Sequence, residues 1–182
     1  MKKKSISLQS ILLYVFFVFY LFFLLENILF KYVSPLELFS PDRYFSRSWN
    51  LVPFNDALSY LWKDGLAQGF SELNVYGNIL LFIPLGIYLQ IFLKKKQVWR
   101  SLLAVVGVSV FFEIFQLAFG IGATDIDDVI LNTIGGLAGI FIFRLMRLMF
   151  KNEKSVRNVV TWLSTAVGSF VLVILVLLRV FN

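Results

Sequence analysis

The chain has 182 residues and a net charge of +6, and 59% of its residues are hydrophobic, among them 21 Phe. Soluble domains contain about 45–50% apolar residues, so this composition, with a mean hydropathy of +0.81, excludes an ordinary soluble domain and indicates an integral membrane protein. The absence of Cys and His excludes disulfides, thiol nucleophiles, imidazole catalysis and zinc sites built on these residues.

Long apolar segments predict an all-α fold, a polytopic membrane helix bundle that forms a single domain over residues 1–182. About 20 residues are needed for a helix to cross ~30 Å of hydrocarbon. The first segment follows three Lys and lacks a small-residue cleavage site, so a retained signal anchor is expected. The five predicted transmembrane helices cover residues 7–30, 75–93, 98–119, 127–147 and 158–180.

The distribution of basic residues predicts the orientation. Twelve of the 17 Lys and Arg lie at the N-terminus, between the second and third spans, or between the fourth and fifth spans. By the positive-inside rule these regions are cytoplasmic. We therefore expect a cytoplasmic N-terminus, an extracellular C-terminus, and two outer connections at residues 31–73 and about 120–126.

The longer outer connection begins with a stretch, residues 31–54, whose three Pro oppose a continuous helix. Asn55 can then cap a short amphipathic helix that ends near Gln68 and carries Trp62 on its apolar stripe. Such a helix suits the membrane–water interface, and a lid packed on the bundle is an equal alternative. Just before it, Arg47 is a candidate for binding phosphate or carboxylate, or else pairs with an outer carboxylate or with lipid headgroups.

The second and third spans each carry two polar residues on one face. Asn74 and Asn78 are four residues apart, and Glu113 and Gln116 are three apart. Glu113 lies about six residues from the outer end of its span, or ~9 Å deep at 1.5 Å per residue. A carboxylate in hydrocarbon costs at least ~2.5–3.5 kcal/mol, so Glu113 is expected either to be protonated or to face a polar site.

The fourth span begins with Thr124 as a possible cap, followed by three Asp. Asp125, Asp128 and Asn132 share one face by their spacing, whereas Asp127 points elsewhere. Carboxylates at a helix N-terminus gain about 0.3–1 kcal/mol from the dipole, so capping alone is one interpretation. The depth that Asp128 and Asn132 share with the polar faces of the other two spans favours a common polar site.

Small residues predict how the spans pack. Gly135 and Gly139 form a small-xxx-small pair that favours close contact between the fourth span and a neighbour. Pro84, two residues before Gly86, predicts a kink or local opening of the second span. Residues 158–180 have no comparable polar face and are expected to be scaffold.

Several sequence segments between about residues 47 and 140 form a recognisable series. They are Arg47 with Asn50-Leu-Val-Pro-Phe54, Asn74 to Asn78, Phe82-Ile-Pro-Leu-Gly86, Glu113-Ile-Phe-Gln116, and Asp125 to Gly136. In order and spacing, these segments resemble the VanZ-like family. Many relatives carry an Arg three residues before Asp125, a position that is Gly122 here.

The resemblance implies a protein of the bacterial cytoplasmic membrane that is associated with resistance to the lipoglycopeptide teicoplanin. The first hypothesis is an envelope factor that binds a lipid or lipid-linked wall precursor, or limits access of the lipoglycopeptide, at an outer-leaflet polar pocket. Its partners are then the bilayer and that ligand, and no nucleic acid is expected. The candidate ligand-binding residues are Arg47, Asn50, Asn74, Asn78, Gln116 and Asn132.

The alternative is a membrane-embedded enzyme acting on a phospholipid or polyprenyl phosphate, and the sequence leaves open whether the protein is an enzyme. In that case Glu113, Asp125 and Asp128 are the candidate catalytic and metal-binding residues, holding Mg or Mn or acting as general base. No zinc or haem is expected. An ion-conducting role ranks last, because no polar stripe is predicted to continue to the cytoplasmic side.

Overall fold

The computed structural model describes residues 7–31, 33–40, 45–54, 72–93 and 97–181. Within these ranges the chain forms five helices that are long and apolar enough to cross a membrane, which confirms the predicted all-α membrane fold. Apolar segments of this length become helices because hydrocarbon offers no partners for backbone N–H and C=O groups. The helices are α1 (Leu8–Leu29), α2 (Glu72–Phe92), α3 (Val98–Phe119), α4 (Ile126–Phe150) and α5 (Glu153–Phe181).

The helix bounds agree with the predicted spans except where charged residues continue a helix. α5 begins at Glu153, five residues before the predicted span, and so includes Lys154 and Arg157. A helix is free to extend beyond the hydrocarbon, so hydropathy marks the span rather than the helix. The predicted interfacial helix from Asn55 to Gln68 lies outside the described residues.

A small parallel sheet, which the sequence did not predict, joins two connections between helices. Strand β1 (Ser46–Asn50) pairs with β2 (Ile121–Asp125), in a register that sets Ser46 opposite Ile121 and Asn50 opposite Asp125. A short 3-10 helix at Pro35–Glu37 precedes β1. Parallel strands need a long crossover, and here that crossover contains α2 and α3. The pairing supplies backbone partners to the short turn between α3 and α4.

Gly120 makes the turn from α3 into β2. It adopts a left-handed conformation with φ of 60°, and its N–H bonds to the carbonyl of Gln116. This is a glycine helix cap, which a residue with Cβ adopts only under strain. The ring of Phe45 also lies against Gly120, where an added Cβ would collide with it.

Glycines bring α2 and α4 into close contact, as the small-xxx-small pair predicted. A Cβ added at Gly135 would meet the carbonyl of Ile79, and one at Gly139 would meet that of Ile83. Gly86 on α2 faces the carbonyl of Gly136 in the same way. Gly86 therefore has a packing role, and Pro84 beside it lies inside a helix that continues to Phe92.

The chain divides into two compact units. One comprises Leu25–Phe143, and the other comprises Met1–Leu24 with Arg144–Asn182. Within the second unit, the absent side chain of Gly168 leaves room for the ring of Phe16. The predictions of a single domain and of a scaffold role for residues 158–180 stay predictions.

Candidate functional site

Side chains from α2, α3 and α4 meet beside β2. The side-chain amide of Asn78 donates to Oδ1 of Asp128 at 2.5 Å, and the backbone N–H of Asp125 donates to Oε2 of Glu113 at 2.8 Å. Asp125 and Asp128 both act electrostatically on Glu113. The structure thus brings together four of the residues that the sequence singled out.

Lys31, which the sequence identified only as an outer charge, belongs to the same group. Its ammonium donates to Oδ1 of Asn74, and its charge acts on Asp128. The position of Lys31 just after an apolar span was the available signal, but nothing local connects it to residues more than 40 positions away. We call these six residues the polar cluster: Lys31, Asn74, Asn78, Glu113, Asp125 and Asp128.

The start of α4 is capped by Asp125, so the prediction that Thr124 caps it is wrong. Oδ1 of Asp125 accepts from the N–H of Asp127 at 2.9 Å, as an N-cap residue does. Thr124 lies in β2 instead, and its hydroxyl donates to the carbonyl of Glu113 at 3.1 Å. The strand pairing places Thr124 outside the helix, which is why sequence spacing misassigned it.

Asp127 binds a backbone group outside the polar cluster, although its charge also acts on Asp128. Its Oδ1 accepts from the N–H of Phe54 at 2.7 Å, which ties the segment after β1 to the first turn of α4. The sequence assigned Asp127 to another face but had no basis for naming this partner.

Two of the predicted amides make their hydrogen bonds outside the polar cluster. Asn132 is fully buried, and its amide nitrogen pairs with Oγ of Ser109 at 2.9 Å. Gln116 donates to the carbonyl of Ile28 at 2.9 Å. These bonds join α3 to α4 and to α1, so the amide nitrogens hold helices together. Their proposed contact with a ligand stays a prediction.

Several buried polar atoms have no hydrogen-bond partner among the described residues. Three are oxygens, namely Oε1 of Glu113, Oε1 of Gln116 and Oδ1 of Asn132, and the fourth is Nδ2 of Asn50. Buried polar groups are nearly always paired, and leaving one unpaired costs about 1–3 kcal/mol. Glu113 and Gln116 are only 5% and 6% exposed, so their unpaired oxygens lie inside the protein.

Strand β1 positions the two remaining candidates beside β2. The register sets Arg47 opposite Gly122, where the family resemblance expects an Arg, and sets Asn50 opposite Asp125. Oδ1 of Asn50 accepts from the N–H of Val52 at 3.3 Å and so shapes the turn after the strand. By backbone position Asn50 therefore lies beside Asp125 of the polar cluster, whereas Arg47 lies three strand residues farther away.

The carboxylates form no complete metal site by themselves. Within the described ranges, no group of three or more Asp or Glu side chains is arranged to hold a metal ion. Mg²⁺ often uses only one or two carboxylates, together with waters and substrate phosphates. A metal held by Asp125, Asp128 or Glu113 would need such additional ligands, and it stays a prediction.

Buried polar residues of α3 extend farther along the helix than the sequence indicated. Ser101, toward its N-terminal end, is fully buried and accepts a hydrogen bond from Gln90 of α2 at 2.7 Å. Ser109 follows in the middle, and Val105 between them is also fully buried. An apolar residue therefore interrupts the row, and the expectation that no polar stripe continues to the cytoplasmic side stays a prediction. Ser was overlooked because its hydroxyl adds little to hydropathy.

Comparison with known proteins gives two matches. The VanZ/LLP1 family model matches residues 17–147, a range that contains the whole polar cluster. The chain is also similar to protein VanZ of Enterococcus faecium, with 34% identity over 160 residues that cover 88% of each chain. No solved structure matches the chain.

Proposed function

Because this chain belongs to the VanZ/LLP1 family, we propose that it contributes to teicoplanin resistance by binding a lipid or lipid-linked wall precursor at the polar cluster. It is a multi-pass membrane protein, and the described part of the chain contains five apolar helices long enough to span a membrane. Binding of the precursor would limit access of the lipoglycopeptide to its target. The membrane is then the cytoplasmic membrane of a bacterium.

The charge pattern of the connections supports an outward-facing site. Lys31 follows α1, and Asp125 lies in the turn between α3 and α4. Both positions fall on the side that carries only five of the 17 Lys and Arg, which the positive-inside rule assigns to the exterior. A ligand in the outer leaflet would reach the polar cluster from there.

The observation that carries the proposal is the buried oxygen of Glu113 that has no partner in the described part of the chain and lies near two other carboxyl groups. A carboxylate in hydrocarbon is costly and usually marks a functional site. A sugar or peptide headgroup offers hydroxyl and amide donors to such oxygens, and its phosphate would pair with Lys31 or Arg47. The hydrogen-bond donors of such a headgroup therefore match the carboxyl oxygens of this region, and its phosphate matches the basic side chains.

Replacing single carboxyl groups of the polar cluster tests the proposal. Glu113→Gln and Asp128→Asn keep the side-chain shape but turn the carboxyl group into an amide, so both variants should lose teicoplanin resistance in a susceptible host. The measurement is the inhibitory drug concentration at matched protein levels. The control is Glu37→Gln, the same change at an exposed acid outside the polar cluster, which should retain resistance. Unchanged resistance in both cluster variants would contradict the proposal.

Ligand binding is tested separately by native mass spectrometry of the purified protein with a lipid-linked wall precursor. The wild type should retain the lipid as an adduct. The Asp128→Asn variant loses one charge-assisted hydrogen bond to the lipid, worth about 1.5–3 kcal/mol, so it should bind the lipid at least about tenfold more weakly than the wild type. Equal adduct formation by the wild type and the variant would show that the polar cluster is not the binding site.

A second candidate is a metal-dependent enzyme acting on a phospholipid or polyprenyl phosphate. The proximity of Glu113, Asp125 and Asp128 favours it, because two of them together with substrate phosphates could hold Mg or Mn. Purified protein incubated with labelled lipid phosphates should then give turnover that EDTA abolishes and Mg or Mn restores. Absence of such turnover across a broad lipid panel would dismiss this candidate.

A further inference from the structure

We propose that the connection between α1 and α2 carries a second membrane contact, an exposed apolar surface that lies in the interfacial layer of the bilayer. It goes beyond the proposed ligand site because it requires no ligand. This surface consists of Leu36, Phe39, Phe45, Trp49, Leu51, Val52 and Phe54.

The exposure of these side chains calls for an apolar partner. Leu36 is 94% exposed, Phe39 is 83% exposed and Trp49 is 70% exposed. Burying one large apolar side chain is worth about 1.5–3 kcal/mol, so leaving seven such side chains in water would forgo a large stabilisation. Groups of exposed apolar residues mark contacts with proteins or membranes.

Contacts with the helix ends show how far along the bundle axis this surface lies. The ring of Phe39 packs edge-on against Phe119, the last residue of α3, with centroids 6.4 Å apart. Phe45 covers Gly120, the next residue. The N–H of Phe54 is bonded to Asp127 in the first turn of α4. The surface therefore lies where α3 ends and α4 begins, at one end of two helices that are long and apolar enough to span a membrane.

The chemistry of the surface favours lipid over a protein partner. Ring contacts continue from Phe39 onto α3, through Phe119 and Phe115 to Phe111, which is 54% exposed. This continuity with the surface of a spanning helix is what a bilayer, rather than a discrete partner, would cover. Trp49 adds an amphipathic ring of the kind enriched at membrane–water interfaces.

The depth of Trp49 tests the proposal. The chain has four Trp, so replacing Trp62, Trp99 and Trp162 by Phe leaves Trp49 as the reporter in phosphatidylcholine vesicles. Lipids brominated near the carbonyl end of the acyl chain should reduce its emission more than lipids brominated near the methyl end. A variant that keeps only Trp162, which is 61% exposed on α5, is the positive control for lipid contact.

Three outcomes would overturn the proposal. Quenching by aqueous acrylamide without quenching by brominated lipid would place Trp49 in water. Protection from both quenchers would show that protein, such as a second copy of the chain, covers the surface. Stronger quenching by the deeper bromines would place Trp49 in the hydrocarbon core rather than at the interface.

A second reporter needs only one substitution. The chain has no Cys, so Leu36→Cys creates a unique site for a spin label, and its 94% exposure means that little packing is lost. The label should collide more often with oxygen, which partitions into lipid, than with a water-soluble nickel chelate. The reverse preference would overturn the proposal. Neither measurement involves drug or precursor, so its failure is distinguishable from failure of the proposed function.

Discussion

At the scale of single residues, the carboxyl group of Glu113 is bound on one side only. Oε2 accepts the N–H of Asp125, while Oε1 has no partner among the described residues. The bound side connects Glu113 to the residue that caps α4. The residue that caps α4 is therefore bonded to a candidate ligand-binding residue, and only substitutions that separate the two roles can show which groups contact a ligand.

Asp125 offers such a separation. Asp125→Asn keeps an oxygen that can cap α4 but removes the charge, whereas Asp125→Ala removes both and should cost about 1 kcal/mol of stability. If the charge serves the ligand, Asp125→Asn should retain the thermal stability of wild type and lose resistance. The measurements are the melting temperature in detergent and the inhibitory concentration of teicoplanin. Full resistance of the Asp125→Asn variant would show that Asp125 serves only as a helix cap.

At the scale of elements, the contact between α2 and α4 depends on glycines, because any larger residue at these positions would collide with the facing helix. Gly135 and Gly139 face carbonyls of α2, and Gly86 faces a carbonyl of α4. The same two helices carry Asn78 and Asp128, whose hydrogen bond is part of the polar cluster. Close packing and the geometry of the site are thus set together.

Gly139→Ala should lower stability because its Cβ would collide with the carbonyl of Ile83, a backbone group that cannot move aside. Overpacking of this kind costs about 1–3 kcal/mol. The matched control is Gly107→Ala on α3, where no atom lies within 4 Å of the added Cβ, and which should be neutral or gain up to about 1 kcal/mol. Thermal unfolding of both variants in the same detergent makes the comparison. Equal melting temperatures would argue against the close contact.

The parallel strands are the element that sequence reasoning missed. Each has only five residues, and neither alternates apolar and polar residues as a half-buried strand does. Their pairing depends on residues that α2 and α3 separate in the chain. The sheet also decides two local features, because it places Thr124 in a strand and Asn50 beside Asp125.

At the scale of the whole molecule, the orientation in the membrane decides which solution reaches the polar cluster. The distribution of Lys and Arg predicts a cytoplasmic N-terminus and an extracellular C-terminus. Alkaline phosphatase, which is active only outside the cytoplasm, should therefore be active when fused to the C-terminus and inactive when fused in the connection between α2 and α3. A fluorescent protein that folds only inside should give the opposite pattern. An inverted result would place the polar cluster at the cytoplasmic face and remove the proposed route to outer-leaflet ligands.

The sequence alone determined the membrane class and the five spans. These properties add up residue by residue, since each apolar side chain contributes to the transfer into hydrocarbon regardless of its neighbours. Helical spacing also placed Asn78, Glu113 and Asp128 on definite faces, and the structure brings these faces together.

Only the tertiary structure decided the partners. The bonds of Lys31 to Asn74, of Gln116 to Ile28 and of Phe54 to Asp127 join residues far apart in sequence. Such pairs depend on which helix ends lie side by side, and no local pattern contains that information. For the same reason only the structure shows that Gly86 packs against Gly136 of α4, whereas the kink predicted near Pro84 stays a prediction.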